Sequence, residues 1–387
     1  MFLTFPIMVI KVNTVYKTIE WRWMNMVFIG VGVFVGSFVW RWLLERKDKP
    51  SAKKESISTR TQAYLAENPL AKRALQGILL VALLFFPMFM DAYQINIFTV
   101  ALMYIVLGLG LNIVVGLAGL LDLGYVAFYA VGAYTYALLN TTFGLSFWVV
   151  LPIGGALAAI FGILLGFPVL RLRGDYLAIV TLGFGEIIRL VLENWNDFSH
   201  GPSGIAGIDK PNFFGLELNL NQMTDGVYYM MVLFTIITIF FVGRLQNSRI
   251  GRAWLALRED EIACQAMGIG RTRTKLMAFA LGATWAGLMG VVFAAKTSFI
   301  NPASFTFLES AIILSIVVLG GMGSIPGVIL GALIMILLPE YMRTFSEYRM
   351  IVFGGAMVFM MVFRPQGLVS NFRRKYSFHG VDERLGG

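Results

Sequence analysis

Long apolar stretches, separated by short polar segments, make up most of this chain. Residues 92 to 170 contain a single charged side chain, Asp122, and this stretch is long enough for three membrane-spanning helices. A helix needs about 20 mainly apolar residues to cross a bilayer. On that basis the pattern predicts about eleven spans, which are 24–44, 74–90, 95–115, 124–139, 146–170, 177–194, 227–242, 276–295, 310–322, 325–342 and 350–363.

These spans define the fold class and the domain organisation. We predict an all-α polytopic membrane protein of about 8–11 transmembrane helices, some of them broken or re-entrant. The transmembrane domain is predicted to cover 74–370, preceded by an N-terminal span and a polar linker in 1–73 and followed by a tail in 371–387. The spans that also fit half-helices or re-entrant segments are 124–139, 177–194 and 310–322.

Positive charge is distributed unevenly between the two sides of the predicted membrane domain. Of the 31 Lys and Arg residues, nine lie in 41–73, two in 171–173, seven in 244–275 and five from Arg364 onward, all in loops of one side. Basic residues accumulate in cytoplasmic loops, so these loops and the C-terminus are predicted to be cytoplasmic. The net charge of +9 is therefore interpreted as a topology signal and not as a nucleic-acid-binding surface.

Composition narrows the function classes further. The chain is 58% apolar and 14% charged, whereas an average soluble domain has roughly 25% charged residues, which argues against a soluble enzyme or a disordered protein. The single cysteine, Cys264, allows no internal disulfide. With only two histidines, His200 and His379, a metal centre is not expected either, and no cofactor is predicted.

Motifs for nucleotide chemistry and catalysis are missing from the sequence. The pattern Gly-x-x-x-x-Gly-Lys-[Ser/Thr] does not occur, so ATP binding by a P-loop is not expected. Gly108-Leu109-Gly110 lies inside an apolar span with no strand before it, which favours helix packing over dinucleotide binding. Neither histidine is placed to form a nucleophile–base pair. The chain is therefore predicted not to be an enzyme.

Charged residues within the apolar region are candidates for a substrate pathway, because such charges tend to pair or to line a cavity. Asp122 follows a glycine-rich stretch that suggests a broken helix, and it either caps the next helix or lines a pathway. Glu186 and Arg189 lie three residues apart on one helix face and either pair structurally or contact a substrate carboxylate.

The longest charged segment between spans is 244–275. Residues 252–267 are good helix formers, and Gly268 is well placed to end a helix of about four turns. That helix has no lipid-facing stripe. A solvated loop and a helix that docks onto a partner protein fit this pattern equally well.

Several motifs give the chain a family resemblance. The segments Gly251-Arg252-Ala253-Trp254, Leu257-Arg258-Glu259-Asp260-Glu261-Ile262-Ala263 and Met267-Gly268 resemble the coupling loop of branched-chain amino acid ABC transporter permeases of the LivM type. Because of this resemblance, 244–275 is termed the coupling loop below. Further similar motifs occur in the same order along residues 95 to 370. They are Gly108-Leu109-Gly110-Leu111-Asn112, Gly116-Leu117-Ala118-Gly119, Leu170-Arg171-Leu172-Arg173-Gly174-Asp175-Tyr176, Thr181-Leu182-Gly183-Phe184-Gly185-Glu186-Ile187, Val318-Leu319-Gly320-Gly321-Met322-Gly323-Ser324 and Phe363-Arg364-Pro365-Gln366-Gly367-Leu368.

The resemblance implies an ABC importer permease fold in the bacterial inner membrane and a function in uptake of leucine, isoleucine and valine. It implies four partner proteins: a second, homologous permease, two cytoplasmic ATP-binding subunits and a periplasmic amino-acid-binding protein. Residues implied to dock onto the ATPase are Arg258, Glu259, Asp260, Glu261 and Gly268, and candidates for the substrate pathway are Asn112, Asp122, Glu186 and Arg189.

Two other functions also fit the sequence, and a third is disfavoured by it. Permeases for urea or short-chain amides share much of the same framework. A proton-coupled secondary transporter would use Asp122 or Glu186 as its titrating group. A membrane scaffold or receptor would have little use for so many glycine-broken spans.

Overall fold

The computed structural model describes residues 10–13, 18–21, 77, 81–169, 172, 174–211, 220–341, 354–355, 358 and 367–369. The chain divides into two compact units, Met1–Arg73 and Ala74–Gly387. In the first unit, β1 (Ile10–Asn13) and β2 (Thr18–Trp21) form an antiparallel pair that the hydropathy pattern did not predict. The predicted span 24–44 and the tail 371–387 lie outside the described residues, as does almost all of 350–363.

Helices make up nearly all of the described part of the second unit. Residues 81–89 are helical, within the predicted span 74–90. The helices that follow are α1 (Ala92–Leu111), α2 (Tyr125–Phe143), α3 (Phe147–Val169), α4 (Asp175–Asn194), α5 (Asn196–Ser199), α6 (Leu220–Gln246), α7 (Arg249–Glu259), α8 (Glu261–Ala266), α9 (Arg271–Thr297), α10 (Phe307–Gly320) and α11 (Ile325–Tyr341).

The helix bounds agree with the predicted spans. All eight spans predicted between residues 95 and 342 coincide with helices, and α6 and α9 extend several residues further at one or both ends. Among the described residues, five helical segments are long and apolar enough to cross a membrane: Ala92–Leu117, Phe147–Val169, Gln222–Gln246, Arg271–Thr297 and Pro302–Gly320. The predicted all-α polytopic membrane fold is confirmed.

Helix α9 lies at the centre of the bundle and contacts α1, α2 and α3. Its glycines allow main chains to approach each other directly. A Cβ atom added to Gly132 of α2 would lie 2.0 Å from the carbonyl oxygen of Gly287, and one added to Gly287 would lie 2.4 Å from the Cβ of Ala158 in α3. Packing of this kind holds membrane helices together, because lipid supplies no hydrophobic driving force between them.

The glycine-rich stretch after α1 interrupts the helix, as the sequence predicted. Residues Asn112–Leu117 continue α1 as a short π-helix. Gly119 then adopts φ +69°, a conformation that side chains disfavour, and the chain turns through Asp122 into α2. We call Asn112–Leu117, the π-helical end of α1 just before this turn, the interrupted segment.

At the opposite end of the bundle, two loops are joined by a short sheet. Strand β3 (Ile205–Ala206) pairs with β4 (Phe299–Ile300), which follows α9. Asp209 is held against α2, since its backbone N–H donates to Asn140 Oδ1 at 2.9 Å and its carbonyl accepts from Tyr136 at 2.9 Å. The loop between α5 and α6 is thus fixed to the bundle along 205–209.

The coupling loop differs from its prediction. The single helix expected over 252–267 is wrong: the segment forms two helices, α7 and α8, separated at Asp260. Asp260 has extended backbone angles, and its carboxylate accepts hydrogen bonds from the backbone N–H groups of Ile262 and Ala263. An Asp in this position is a strong N-cap, so it starts a new helix where propensity alone predicted continuation.

Candidate functional site around the coupling loop

The coupling loop is attached firmly to the membrane bundle. Trp254 of α7 is fully buried, and its indole N–H donates to the carbonyl oxygen of Thr274 in α9 at 2.7 Å. Leu257, also in α7, is buried as well. A buried Trp with its N–H satisfied contributes a large apolar surface and a fixed orientation. Helix α7 is therefore expected to move together with the start of α9.

Three of the five predicted docking residues make contacts within the chain. Arg258 donates from Nη1 to the carbonyl oxygen of Gly116 at 2.7 Å. Glu261 forms ion pairs with Arg271, at 2.9 Å, and with Lys275, whose side chain is buried. The third, Asp260, is the N-cap of α8. These groups are engaged in holding the loop.

The other two docking residues are exposed, as Arg258 and Asp260 are too, but unlike those they make no side-chain hydrogen bond or ion pair among the described residues. Glu259 lies at the end of α7, with its side chain in solvent. Gly268 has φ +84°, and no atom lies within 4 Å of the position that a Cβ would occupy. It therefore ends α8 through its backbone conformation. Both positions remain open to a partner protein.

Two apolar residues that were not among the predicted docking residues face solvent beside these positions. The side chain of Ile262 in α8 is 71% exposed, and that of Met267 is 83% exposed. An exposed apolar patch in a polar loop is typical of a protein interface. The signal in the sequence was weak, because a lone Ile and a lone Met in a charged segment also fit a helix that packs on its own protein.

The predicted pathway residue Asn112 connects three segments of the bundle. Its Oδ1 accepts from the backbone N–H of Gly323, in the turn between α10 and α11, at 2.8 Å. The carbonyl oxygen of Gly323 accepts from Gln246, the last residue of α6, at 3.1 Å. Asn112 is buried, and its Nδ2 has no hydrogen-bond partner among the described residues.

Together with Arg258, these contacts form a connected set. The coupling loop contacts the interrupted segment at Gly116. The interrupted segment contacts Gly323 in the turn between α10 and α11, which we call the glycine turn. The glycine turn also contacts Gln246 at the end of α6, within the first residues of the coupling loop. We call this arrangement the junction. Each of its three contacts joins a side chain of one segment to a main-chain atom of another, so the junction links a helix of the central bundle to the loop by specific hydrogen bonds.

Asp122, the second predicted pathway residue, is fully buried in the turn before α2. Its Oδ1 accepts from the backbone N–H of Gly124, the residue that precedes α2, at 2.9 Å. Its Oδ2 has no partner within the described part of the chain. Burial raises the pKa of Asp122 to about 7, since a carboxylate is poorly solvated there, and the Gly124 hydrogen bond opposes this only in part.

This raised pKa predicts a pH dependence of stability. Because Asp122 holds its proton more tightly when folded, its contribution is fully present below about pH 4 and is lost as the pH rises to about 7, at roughly 1.4 kcal/mol per pH unit. We expect Asp122→Asn to remove this part of the pH dependence of the melting temperature between pH 5 and 8. The exposed Asp175→Asn should leave it unchanged; the same pH profile in both variants would contradict the assignment.

Glu186 and Arg189, the remaining pathway candidates, form an ion pair on α4. Arg189 donates to Glu186 and to Glu193, each at 2.8 Å, and all three side chains are partly exposed. Pairing on one helix face was one of the two predicted interpretations of these residues. Partly exposed pairs of this type add little stability, and the arrangement brings neither residue into the junction.

A different carboxylate, Glu309, lies within a candidate membrane span, Pro302–Gly320, and was not predicted from the sequence. Tyr104 of α1 donates its hydroxyl proton to Glu309 Oε2 at 2.5 Å. Glu309 stands in the first turn of α10, which begins at Phe307, three residues before the predicted span. Because the predicted span begins at 310, Glu309 was assigned to a loop outside the membrane, where a carboxylate is common and does not indicate a functional site.

The described residues contain no group of three or more His, Cys, Asp or Glu side chains that could hold a metal ion. An apolar cleft of about 530 Å³ lies between residues 81–89, α1 and α6. Its walls are formed mainly by Leu, Val, Ile and Phe side chains, with Arg244 and Asn247 at one end. Such a lining offers few polar groups to a small zwitterion.

Comparison with known proteins gives a consistent result. Residues 93–361 match the family described as branched-chain amino acid transport system, permease component. The chain is 46% identical, over 91% of its length and 86% of the relative, to the high-affinity branched-chain amino acid transport system permease protein LivM of Escherichia coli. No solved structure matched the chain significantly.

Two more distant relatives are also permease proteins of high-affinity branched-chain amino acid transport systems. The chain is 24% identical to BraD of Pseudomonas aeruginosa over 71% of its own length and 94% of that protein. It is 23% identical to LivH of Escherichia coli over 69% of its own length and 91% of that protein. The similarity therefore extends to two differently named permease proteins of one organism.

Proposed function

This chain belongs to the family of permease components of branched-chain amino acid transport systems, and on that premise we propose that it is the membrane-spanning subunit of an ATP-driven importer of leucine, isoleucine and valine. The chain has no P-loop of its own, so ATP is hydrolysed by partner subunits. It is a multi-pass protein of the bacterial inner membrane. Its described helices supply one half of the transport pathway.

The partners follow from the same premise. A second permease of the LivH kind completes the pathway, which is supported by the similarity of this chain to both LivM and LivH. Two cytoplasmic ATP-binding subunits and a periplasmic amino-acid-binding protein complete the importer. The binding protein delivers the substrate to the outer face of the two permeases.

The observation that carries the proposal is the exposed apolar tip of a rigid loop. Ile262 and Met267 project from α8 and its C-terminal end, while Trp254 and the Glu261 ion pairs hold the loop to α9. A loop that is held to its own bundle and also exposes apolar side chains is suited to dock in a groove of the ATPase and to pass the movement of the ATPase to the bundle. We expect the exposed apolar residues, more than the charged ones, to supply the docking energy.

The orientation of the chain is supported by its last described residues. The backbone N–H of Leu368 donates to the carbonyl oxygen of Leu319 at 2.8 Å, and that of Val369 donates to Gly320 at 3.1 Å. Gly320 precedes the glycine turn of the junction, so this segment lies at the end of the bundle that carries the coupling loop. Together with the excess of Lys and Arg in the loops of this end, it argues for a cytoplasmic C-terminus.

The mechanism is a rigid-body switch between outward and inward openings. When the ATPases close, they displace α8, and both α7 and the start of α9 move with it, because Trp254 and the Glu261 ion pairs hold the three helices together. The displacement reaches the interrupted segment through Arg258 and the glycine turn through Asn112. Helix α1 is already irregular at the interrupted segment, so this end of α1 can reorient without unwinding a regular α-helix.

Charged substitutions at the apolar tip, Ile262 and Met267, test this proposal. We expect Ile262→Glu and Met267→Glu to lower leucine uptake by at least about tenfold, because a buried apolar anchor is worth about 2 kcal/mol or more at an interface. The amount of this chain in the membrane should not change, since both side chains face solvent. The measurement is uptake in whole cells, with co-purification of the ATPase subunits as the second readout.

Thr272→Glu serves as the matched control, because it adds the same charge to an exposed position of the same loop outside the apolar tip. Co-purification of the ATPase at the wild-type level with both tip variants would argue against docking through α8.

Substrate choice is tested separately, by ATPase stimulation in proteoliposomes. Stimulation by urea or a short-chain amide but not by leucine would move the proposal to that substrate class, and uptake that needs a proton gradient but no ATP would replace it.

A further inference from the structure

We infer that Glu309 and Tyr104 form a site for the ammonium group of the transported amino acid, halfway across the membrane. This inference rests on the proposed function and adds to it the residues and the chemical group that are recognised. None of the pathway candidates chosen from the sequence lies at this site.

The depth of the site follows from the position of Tyr104. The apolar span Ala92–Leu117 has 26 residues, and Tyr104 is at its midpoint. At 1.5 Å per residue the hydroxyl-bearing residue is about 18 Å from the start of the span, close to the middle of a hydrocarbon layer of about 30 Å. Glu309 is hydrogen-bonded to it and therefore shares this depth.

A carboxylate at this depth needs a reason to be there, because a charged side chain in a span is costly and marks a pathway or a pair. Glu309 forms no ion pair with a Lys or Arg in the part of the chain that the structure describes. Its described polar partner is the Tyr104 hydroxyl. A phenol supports a carboxylate by one hydrogen bond and leaves its negative charge uncompensated.

The surroundings of Glu309 place it at the edge of the bundle and not in a sealed core. Its own side chain is half-buried, and its neighbours Phe307 and Leu308 are 40% and 65% exposed. The next residue, Ser310, is fully buried and accepts from the backbone N–H of Val126 at 3.0 Å, which fixes the first turn of α10 to the start of α2. The carboxylate is thus held rigidly at the edge of the bundle, on a face that the described residues leave open.

Aromatic rings cluster around Phe305, four positions before Glu309, and one of them, Tyr129, is close enough to Tyr104 and Glu309 to interact with both electrostatically. Phe305 contacts Tyr129, Tyr134 and Phe293, with ring centroids 5.5 to 6.0 Å apart. Tyr134 is buried, and its hydroxyl has no partner among the described residues. A carboxylate beside apolar rings matches a small amino acid, which has an ammonium group to be paired and a branched alkyl side chain to be covered.

The charge of Glu309 is tested by Glu309→Gln in the full complex with its binding protein, reconstituted in proteoliposomes. Glutamine keeps an oxygen that accepts from Tyr104 and removes only the charge. We expect basal ATPase activity within about twofold of wild type and leucine uptake lower by about tenfold or more, the cost of losing a charge-assisted hydrogen bond. Glu309→Asp, which keeps the charge, should recover part of the uptake.

Glu340→Gln is the matched control. Glu340 also accepts a hydrogen bond from a tyrosine of α1, Tyr93, but at the end of that helix, where Tyr93 is half-exposed. Its substitution should leave uptake near the wild-type rate. Equal uptake by Glu309→Gln and wild type would overturn the inference, whereas a wild-type complex that shows no leucine uptake at all would count against the proposed function instead.

A second measurement does not depend on transport. Cys264 is the single native cysteine, so Glu309→Cys in a Cys264→Ser background can be labelled selectively. A cationic, membrane-impermeant thiol reagent should modify this cysteine, and leucine with the binding protein should slow the reaction. Ile160→Cys, on the exposed apolar side of α3, should stay unmodified. Failure to label Glu309→Cys in a complex with normal basal ATPase activity would also overturn the inference.

Discussion

Replacing Gly132 by valine is expected to eliminate the folded protein from the membrane. The added Cβ atom would lie 2.0 Å from the carbonyl oxygen of Gly287 and 2.6 Å from its Cα. Both are main-chain atoms, so no side chain can rotate away. Helix α9 cannot retreat, because Gly287 is itself in contact with Ala158 on α3. The expected cost exceeds the roughly 3 kcal/mol typical of an overpacked core.

The measurement is the yield of monodisperse protein after detergent extraction, followed by fluorescence-detected size-exclusion chromatography. Gly183→Ala in α4 is the matched control, since a Cβ atom there has no neighbour within 4 Å. Alanine is also a better helix former than glycine, so this variant should be at least as stable as wild type. A wild-type yield of Gly132→Val would mean that α2 and α9 do not pack through their main chains.

Arg258→Gln is expected to separate ATP hydrolysis from transport. The guanidinium of Arg258 provides the described hydrogen bond between the coupling loop and the interrupted segment, through the Gly116 carbonyl oxygen. Its aliphatic stem lies against Gly119, where a Cβ atom would come within 2.6 Å of Arg258 Cγ. Glutamine is too short to reach Gly116. The loop should still dock, while its displacement no longer moves α1.

We therefore expect leucine uptake to fall by about tenfold or more, in line with the loss of a hydrogen bond to a charged donor, while ATPase activity remains and responds less to substrate. The ratio of leucine transported to ATP hydrolysed, measured in proteoliposomes, reports this effect. Arg252→Gln is the matched control, because that arginine bonds only to Asn247 within the loop among the described residues. An unchanged ratio in Arg258→Gln would show that the junction does not transmit the motion.

The helices of this protein were predictable because hydropathy in a membrane is a local property. Each predicted span between 95 and 342 coincided with a helix, and the break after α1 was visible as the glycines Gly116 and Gly119. The start of α10 was not predictable from hydropathy. The charge of Glu309 lowers the local hydropathy, so the predicted span begins after it, although the Tyr104 hydroxyl provides that carboxylate with a hydrogen-bond partner.

The candidate site was predictable only in part, since its decisive contacts are long-range. Arg258 and Gly116 are 142 positions apart, and Asn112 and Gly323 are 211 apart. Nothing local tells whether an arginine in a loop turns toward a partner protein or toward its own bundle. The family motif indicated this segment, but it could not tell which of its residues make contacts within the chain and which do not.

The main-chain contacts among α2, α3 and α9 have a consequence for how the subunit can be observed at work. Helices that touch through glycine cannot slide or rotate against one another without steric overlap, so these three serve as a fixed frame of reference. Spin labels placed on α3 and α9 should keep one distance throughout turnover. A distance measured from that frame to any other helix, such as the end of α1 near Gly116, then reports a conformational change of the subunit without a contribution from motion inside the frame.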